Sequence, residues 1–319
     1  MLSTSDTIAH SIGEKTSETN SFPASEVSPL TMDEALAFLA AEVKDENQKK
    51  IIVSRRSVLK SAYIGFSRKY FSITKKLCVQ FASHMAHQEN GVTKENMYEE
   101  EGFDAGGPTN EFFTLALKEM HKCSIFEGPD DARFLSFDSV ALQKNHYLYI
   151  GQIIALSLAY GGPGLSFLSE EFYDCILQRS LSKRSLAIDF IYDLELKMEF
   201  EKFSAVTKVE DLQNLLSSSL LATIAGIANR RAKDIAAKEE ILQGILKFLL
   251  IDRLHEPFQQ FLQGLNSLNC LDILSANPKG FSNFSSQMPL LCMLMMSKTC
   301  SKKNAAKKGV LHTYLKMKC

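Results

Sequence analysis

The chain has 319 residues, 45% of them hydrophobic, and 36 Lys and Arg against 37 Asp and Glu give a net charge of −1. That length and apolar share suffice to bury one sizeable core, while the balanced charge offers no field to draw in nucleic acid or an anionic membrane. Seven cysteines, an odd number with scattered spacing and no pair two residues apart, point to reduced thiols and hence to cytoplasm, nucleus or both. No basic stretch leads into an apolar one at the N-terminus, and the apolar run Met288 to Met296 is too short to cross a bilayer.

Residues 1–30 hold 11 Ser or Thr with Pro23 and Pro29, too few large apolar groups to offset the entropy of ordering, and read as a disordered tail. Thr31-Met32-Asp33-Glu34 is a capping box that opens a leading helix, placed over 31–47, with Leu36, Phe38, Leu39 and Val43 on it. The body over 48–282 reads as α+β, mostly helical, with a few short strands. Two strands are predicted near Ile51 to Val53 and Leu77 to Phe81, where Leu77, Val79 and Phe81 share a face. An acidic loop then leads to Phe103-Asp104-Ala105-Gly106-Gly107-Pro108-Thr109-Asn110-Glu111-Phe112-Phe113. Here the glycine pair, Gly107 in particular, allows positive φ or close backbone approach, Asp104 can accept orphan N–H groups, and Pro108 suits the first helical position. Helices are expected to dominate from Pro108 to Leu265, interrupted by the Gly161-Gly162-Pro163-Gly164 connector. Asp189 to Phe203 and Ala232 to Leu250 are both amphipathic, the second with a wide apolar stripe. Residues 283–319 read as a divergent tail, with seven lysines and no acid after Met296.

Candidates for chemistry are few. Gly106-Gly107 at a helix start is a possible phosphate cradle, but no Lys-Ser or Lys-Thr follows and Glu99-Glu100-Glu101 precedes it, so a structural turn is the better reading. His84 and His87 have no second pair of ligands, and neither a metal nor a cofactor is expected. Cys78, Cys175 and Cys270 sit among apolar neighbours as small buried hydrophobes, and Cys123 follows a helix end as an accessible thiol. Cys300, after Thr299 and flanked by Lys298, Lys302 and Lys303, has surroundings that favour a thiolate.

The string Asp104 to Phe113 resembles the Asp, Gly-Gly-Pro, Glu-Phe-Phe signature of HECT-type ubiquitin ligases. Further segments are similar to that family in order and spacing. They are Ile51 to Leu59 with Phe66 to Phe71, Tyr149 to Leu158, Leu165 to Phe167 with Glu171 to Tyr173, and Phe258 to Leu265. The resemblance implies a HECT-like N-terminal lobe over 48–282, with a small helical subdomain at about 188–250 that docks a ubiquitin-conjugating enzyme in a hydrophobic groove. Implied partners are that enzyme and ubiquitin; neither nucleic acid nor membrane is expected. In the family a separate lobe carries a cysteine in a Thr-Cys context that accepts ubiquitin as a thioester. The 35 residues after Phe284 are too few to build that lobe, and Thr299-Cys300 lacks its flanking Leu and Pro pattern. The expectation is therefore a member of the ubiquitin-transfer pathway, truncated before the thioester-forming lobe, with no catalytic residue beyond the remote candidate Cys300. One alternative is a non-catalytic module that binds a conjugating enzyme or a full-length paralogue. Another is a gene fragment made unstable by the apolar run Met288 to Met296.

Overall fold

The computed structural model describes residues 32–89, 92–100 and 106–276, with side chains except at 32 and 84–99. Both expected tails, Asp104 and Cys300 lie outside the described residues. Helix α1 (Met32–Glu42) leads into strand β1 (Lys44–Ser54), helix α2 (Val58–Phe66), and strands β2 (Lys75–Glu89) and β3 (Val92–Glu99). β1 and β2 pair in parallel, with Ile51 opposite Val79 and Val53 opposite Phe81, and β3 joins β2 antiparallel. Ile51, Val53, Leu77, Val79 and Phe81 are all buried, so the face read from the alternation is the core face.

Two expectations fail here. The leading helix stops at Glu42 and residues 44–47 belong to β1, and β1 and β2 run beyond the predicted Ile51 to Val53 and Leu77 to Phe81, to 11 and 15 residues. Lys44 to Lys50 is polar and almost wholly exposed, so no apolar pattern announces a strand. This segment is anchored to β2 at its two ends, Lys44 opposite Lys75 and Lys49 opposite Leu77, with an irregularity between them where Asn47 takes a positive φ.

The chain continues through α3 (Gly107–Met120), the two-residue strands β4 (Phe126–Glu127) and β5 (Phe134–Leu135), α4 (Ser139–Gln143), α5 (His146–Ala159) and α6 (Glu170–Gln178). Then follow α7 (Leu194–Ala205), α8 (Val209–Ser218), α9 (Leu220–Ile224), α10 (Ala237–Leu250), α11 (His255–Leu265) and α12 (Cys270–Ala276). The class is α+β and mostly helical, as expected.

At the glycine pair it is Gly106 that takes the left-handed conformation, φ 106°, as the residue capping α3. Gly107 is already helical and nothing lies within 4 Å of where its Cβ would stand, so the strain expected at Gly107 belongs to its neighbour. Pro108 sits in the first turn, where its missing N–H has no intrahelical partner to lose. The far end of α3 is tied to α2: Glu119 Oε2 accepts from the N–H groups of Val58 at 2.8 Å and Leu59 at 3.1 Å. That carboxylate supplies the N-terminal cap that Ser57 does not provide.

Two separate cores result. The larger joins α1, strands β1 and β2, α2, α3, α5, α6, α11 and α12. Its centre is α5, apolar all round, with Tyr147, Ile150, Ile153, Ala155 and Leu156 without exposure. α11 crosses α5 where Gly151 meets Gly264, so that the backbones touch. The second core is built wholly within 191–250, from Ile191, Phe200, Phe203, Leu212, Leu216, Leu221, Ile241, Ile245 and Leu249. Two predicted boundaries move in this unit. Asp189 to Phe203 is not one helix: a 3-10 turn at Ile188–Phe190 precedes α7, whose start is set by Asp193 Oδ1 accepting from Glu195 N–H at 2.9 Å and Leu196 N–H at 3.1 Å. α10 begins at Ala237 rather than Ala232, because Gln213 Oε1 holds the Ala232 N–H at 3.1 Å in a loop and Asp234 Oδ1 accepts from Ala237 N–H at 3.1 Å.

Candidate docking surface

The second core is a small helical unit whose apolar residues exceed what it can bury. α7 turns Phe200 and Phe203 inward, yet Leu194 and Met198, four residues apart on another face, are 69% and 52% exposed. α9 buries Leu221 and Ala222 but leaves Leu220 71% and Ile224 43% exposed, again at four-residue spacing. The two helices are linked by a hydrogen bond between the side chains of Ser219 and Glu199. Ser219 accepts from Ala222 N–H at 3.4 Å as the cap of α9 and donates to Glu199 Oε2 of α7 at 3.0 Å. Glu199 is also paired with Lys202, and that pairing together with the Ser219 hydroxyl holds its carboxyl below the usual range. The far end of α7 is fixed by Lys238 of α10, whose ammonium donates to Ser204 O at 3.0 Å and Val206 O at 2.9 Å, taking up terminal carbonyls. The exposed pairs thus stand on a framed support. An exposed apolar surface of this kind is suited to an apolar partner surface.

The larger core carries a cleft of about 500 Å³ lined in part by Lys60, Tyr63, Ile64, Cys123, Lys144 and His146. Tyr63 stacks on His146 with ring centroids 4.0 Å apart. Its two carboxylates are spoken for: Glu119 caps α2, and Asp138 Oδ1 accepts from Val140 and Ala141 N–H groups at 2.9 Å as the cap of α4. Cys123 is half-buried here rather than accessible, and burial pushes its thiol up to about 11. Burial thus disfavours its thiolate form.

Two further thiols behave alike. Cys175 and Cys270 are buried, as the sequence predicts, and burial pushes them up to about 11 and about 12. Cys78 is half-buried in β2. His84 and His87 lie in β2, and no group of three His, Cys, Asp or Glu able to hold a metal is present among the described residues. The sequence reading named no groove residues in 188–250, and Leu194, Met198, Leu220 and Ile224 went unnoticed. Four-residue apolar spacing was the available signal, but α7 carries it on two faces, and only packing tells which is buried.

No family model matches the chain. Among known proteins it is similar to the G2/M phase-specific E3 ubiquitin-protein ligase of Homo sapiens, 25% identical over 243 residues that are 76% of this chain and 32% of the relative. The protein of the same name from Gallus gallus is 25% identical over 240 residues, 75% of this chain and 30% of that one. The probable E3 ubiquitin-protein ligase hulA of Aspergillus terreus is 20% identical over 254 positions, covering 72% and 28%. The chain spans about a third of the length of the curated relatives it matches. Over about three quarters of its own length, then, the chain is similar to a stretch of proteins named E3 ubiquitin-protein ligases, as its ordered motifs suggest.

Proposed function

We propose that the chain is a HECT-like N-terminal lobe of the ubiquitin-transfer pathway and that its helical unit, about 188–250, docks a ubiquitin-conjugating enzyme. The names of the relatives support the pathway, and the order of the motifs supports the lobe. The observation that carries the docking reading is the exposure of Leu194 and Met198 on α7 beside Leu220 and Ile224 on α9, in a unit with its own core. Four side chains of this kind, buried on binding, give the apolar centre that an interface needs. In this reading the described lobe positions its partner, and burial, by raising the Cys123, Cys175 and Cys270 thiols, disfavours the thiolate that uptake of ubiquitin on them would need.

The test is amide and methyl NMR of the labelled chain titrated with a panel of conjugating enzymes. Binding by at least one member, with shifts concentrated at Leu194, Met198, Leu220 and Ile224, is the expected outcome. Shifts confined to the cleft around Tyr63 and His146, or no binding by any member, would overturn it.

A further inference from the structure

The chain passes between its two cores twice, outward through 179–191 and back through 250–255, and Arg184 joins both passages. Its Nη1 donates to Leu250 O at 2.7 Å, at the end of α10, and its guanidinium lies 3.7 Å from the ring centroid of Phe134, inside the larger core. Leu250 belongs to the second core. Arg184 is only 3% exposed, and its Nε and Nη2 have no hydrogen-bond partner. Glu171 and Glu127 lie near enough to favour its charge, but burial outweighs them and lowers its pKa. Glu171 is committed elsewhere, accepting from Ser185 N–H at 2.7 Å.

A buried cation with two unpaired N–H groups is costly, and an apolar side chain of similar length would fill the same space without that penalty. What only the guanidinium provides is a flat face against an aromatic ring and, at the same time, a directed donor to a helix-terminal carbonyl. Other contacts also lie at the passages. Arg253 Nε donates to Leu249 O at 2.7 Å within the return passage, and the Tyr192 ring lies over Gly128 of the larger core, 3.2 Å from where a Cβ would stand. Units joined by a narrow contact move relative to each other unless something fixes them.

We infer that Arg184 is a positioning residue, the joint that fixes the orientation of the helical unit of 191–250 on the larger core. It presents α7 and α9 at one angle instead of over a range of angles. The consequence for docking rests on the reading above, whereas the joint itself does not.

The experiment uses the full chain with no conjugating enzyme present, so its failure is separate from a failure of docking. Residual dipolar couplings of backbone amides are measured in α5 and α11 and in α8 and α10. In the unaltered protein both sets fit one alignment tensor; in Arg184→Met each set still fits well alone but the two require different tensors. Arg184→Lys keeps the charge and a donor without the flat face and is expected to do the same, which provides a second reading if the Met variant does not fold. A single tensor in a folded variant overturns the proposal. So does loss of dispersed signals from both cores in both variants, which would make Arg184 a general core residue.

Discussion

Gly264→Ala should unfold the larger core well below the temperature of the unaltered protein. A Cβ at Gly264 would run into the Leu148 carbonyl oxygen, 2.9 Å from the Leu148 carbonyl carbon and 3.0 Å from Gln152 N. All three are backbone atoms of α5, so no side-chain rotation relieves the clash. α11 must instead withdraw from α5, and withdrawal loosens Phe261 and Leu265 against Ile150 and Ile154, all buried. Overpacking of this kind costs ~1–3 kcal/mol, and the partial loss of packing around several large side chains adds ~2 kcal/mol or more. Against this, alanine favours a helix interior over glycine by only ~1 kcal/mol. The net loss is then ~2–4 kcal/mol, about 5–15 °C in Tm for a body of this size. Gly244→Ala in α10 is the matched control. It has the same propensity gain and nothing within 4 Å of the new Cβ, so it should be stabilising by ~0.5–1 kcal/mol. The assay is urea and thermal unfolding followed by far-UV circular dichroism. Equal stability of Gly264→Ala and the unaltered chain, or shifts of the same sign in both variants, would refute the close-packed crossing.

Gly106→Val should cost ~1–3 kcal/mol through its left-handed φ, while Gly107→Ala should leave the midpoint within ~0.5 kcal/mol, both read by the same unfolding curves. Burial raises the Glu127 carboxyl above its ordinary value, outweighing the opposing influence of Arg253 and Arg184. The folded protein therefore holds a proton there that the unfolded chain releases more readily, and stability falls as pH climbs from the ordinary carboxylate range through the raised one. Glu127→Gln should remove that fall, gaining on the unaltered chain between pH 4 and pH 7 in urea titrations, and a gain that shrinks as pH rises would contradict the assignment. Iodoacetamide at neutral pH should leave Cys175 and Cys270 unmodified until denaturant is added, as judged by peptide mass spectrometry, and fast labelling of either would show that it is not buried.

How legible the fold was depended on whether a segment's own residues or its neighbours decide its conformation. α5 and α11 could be read directly, since a mostly apolar run and a Phe-rich amphipathic face leave little choice. The Gly-Gly-Pro start of α3 was also legible, but a sequence cannot say which of two glycines stands outside the first turn, and the positive φ fell on Gly106. β3 and the outer half of β2 were missed, although Asn90-Gly91 between them is a strong hairpin signal; the polar run around it hid the strands. The exposed start of β1 has no pattern at all and meets β2 only at Lys44 and from Lys49 onward. For the proposed docking surface, family resemblance pointed only to the stretch. The four residues had to come from packing, because Phe200 with Phe203 and Leu194 with Met198 are equally plausible inner faces until α8 and α10 cover the first pair.

The most direct measurement for the central claim is the affinity of a conjugating enzyme that binds the chain, taken by calorimetry for the unaltered protein and for Met198→Asp and Leu220→Asp. Both side chains are more than half exposed, so the substitutions leave the second core intact, which circular dichroism would verify. Placing a carboxylate at the centre of an apolar interface costs ~2–4 kcal/mol, which corresponds to a loss of affinity of about thirtyfold or more. The predicted result is that loss in both variants, with Val140→Asp on the larger core binding as the unaltered chain does. Undiminished affinity in Met198→Asp and Leu220→Asp would contradict the account and move the docking surface elsewhere.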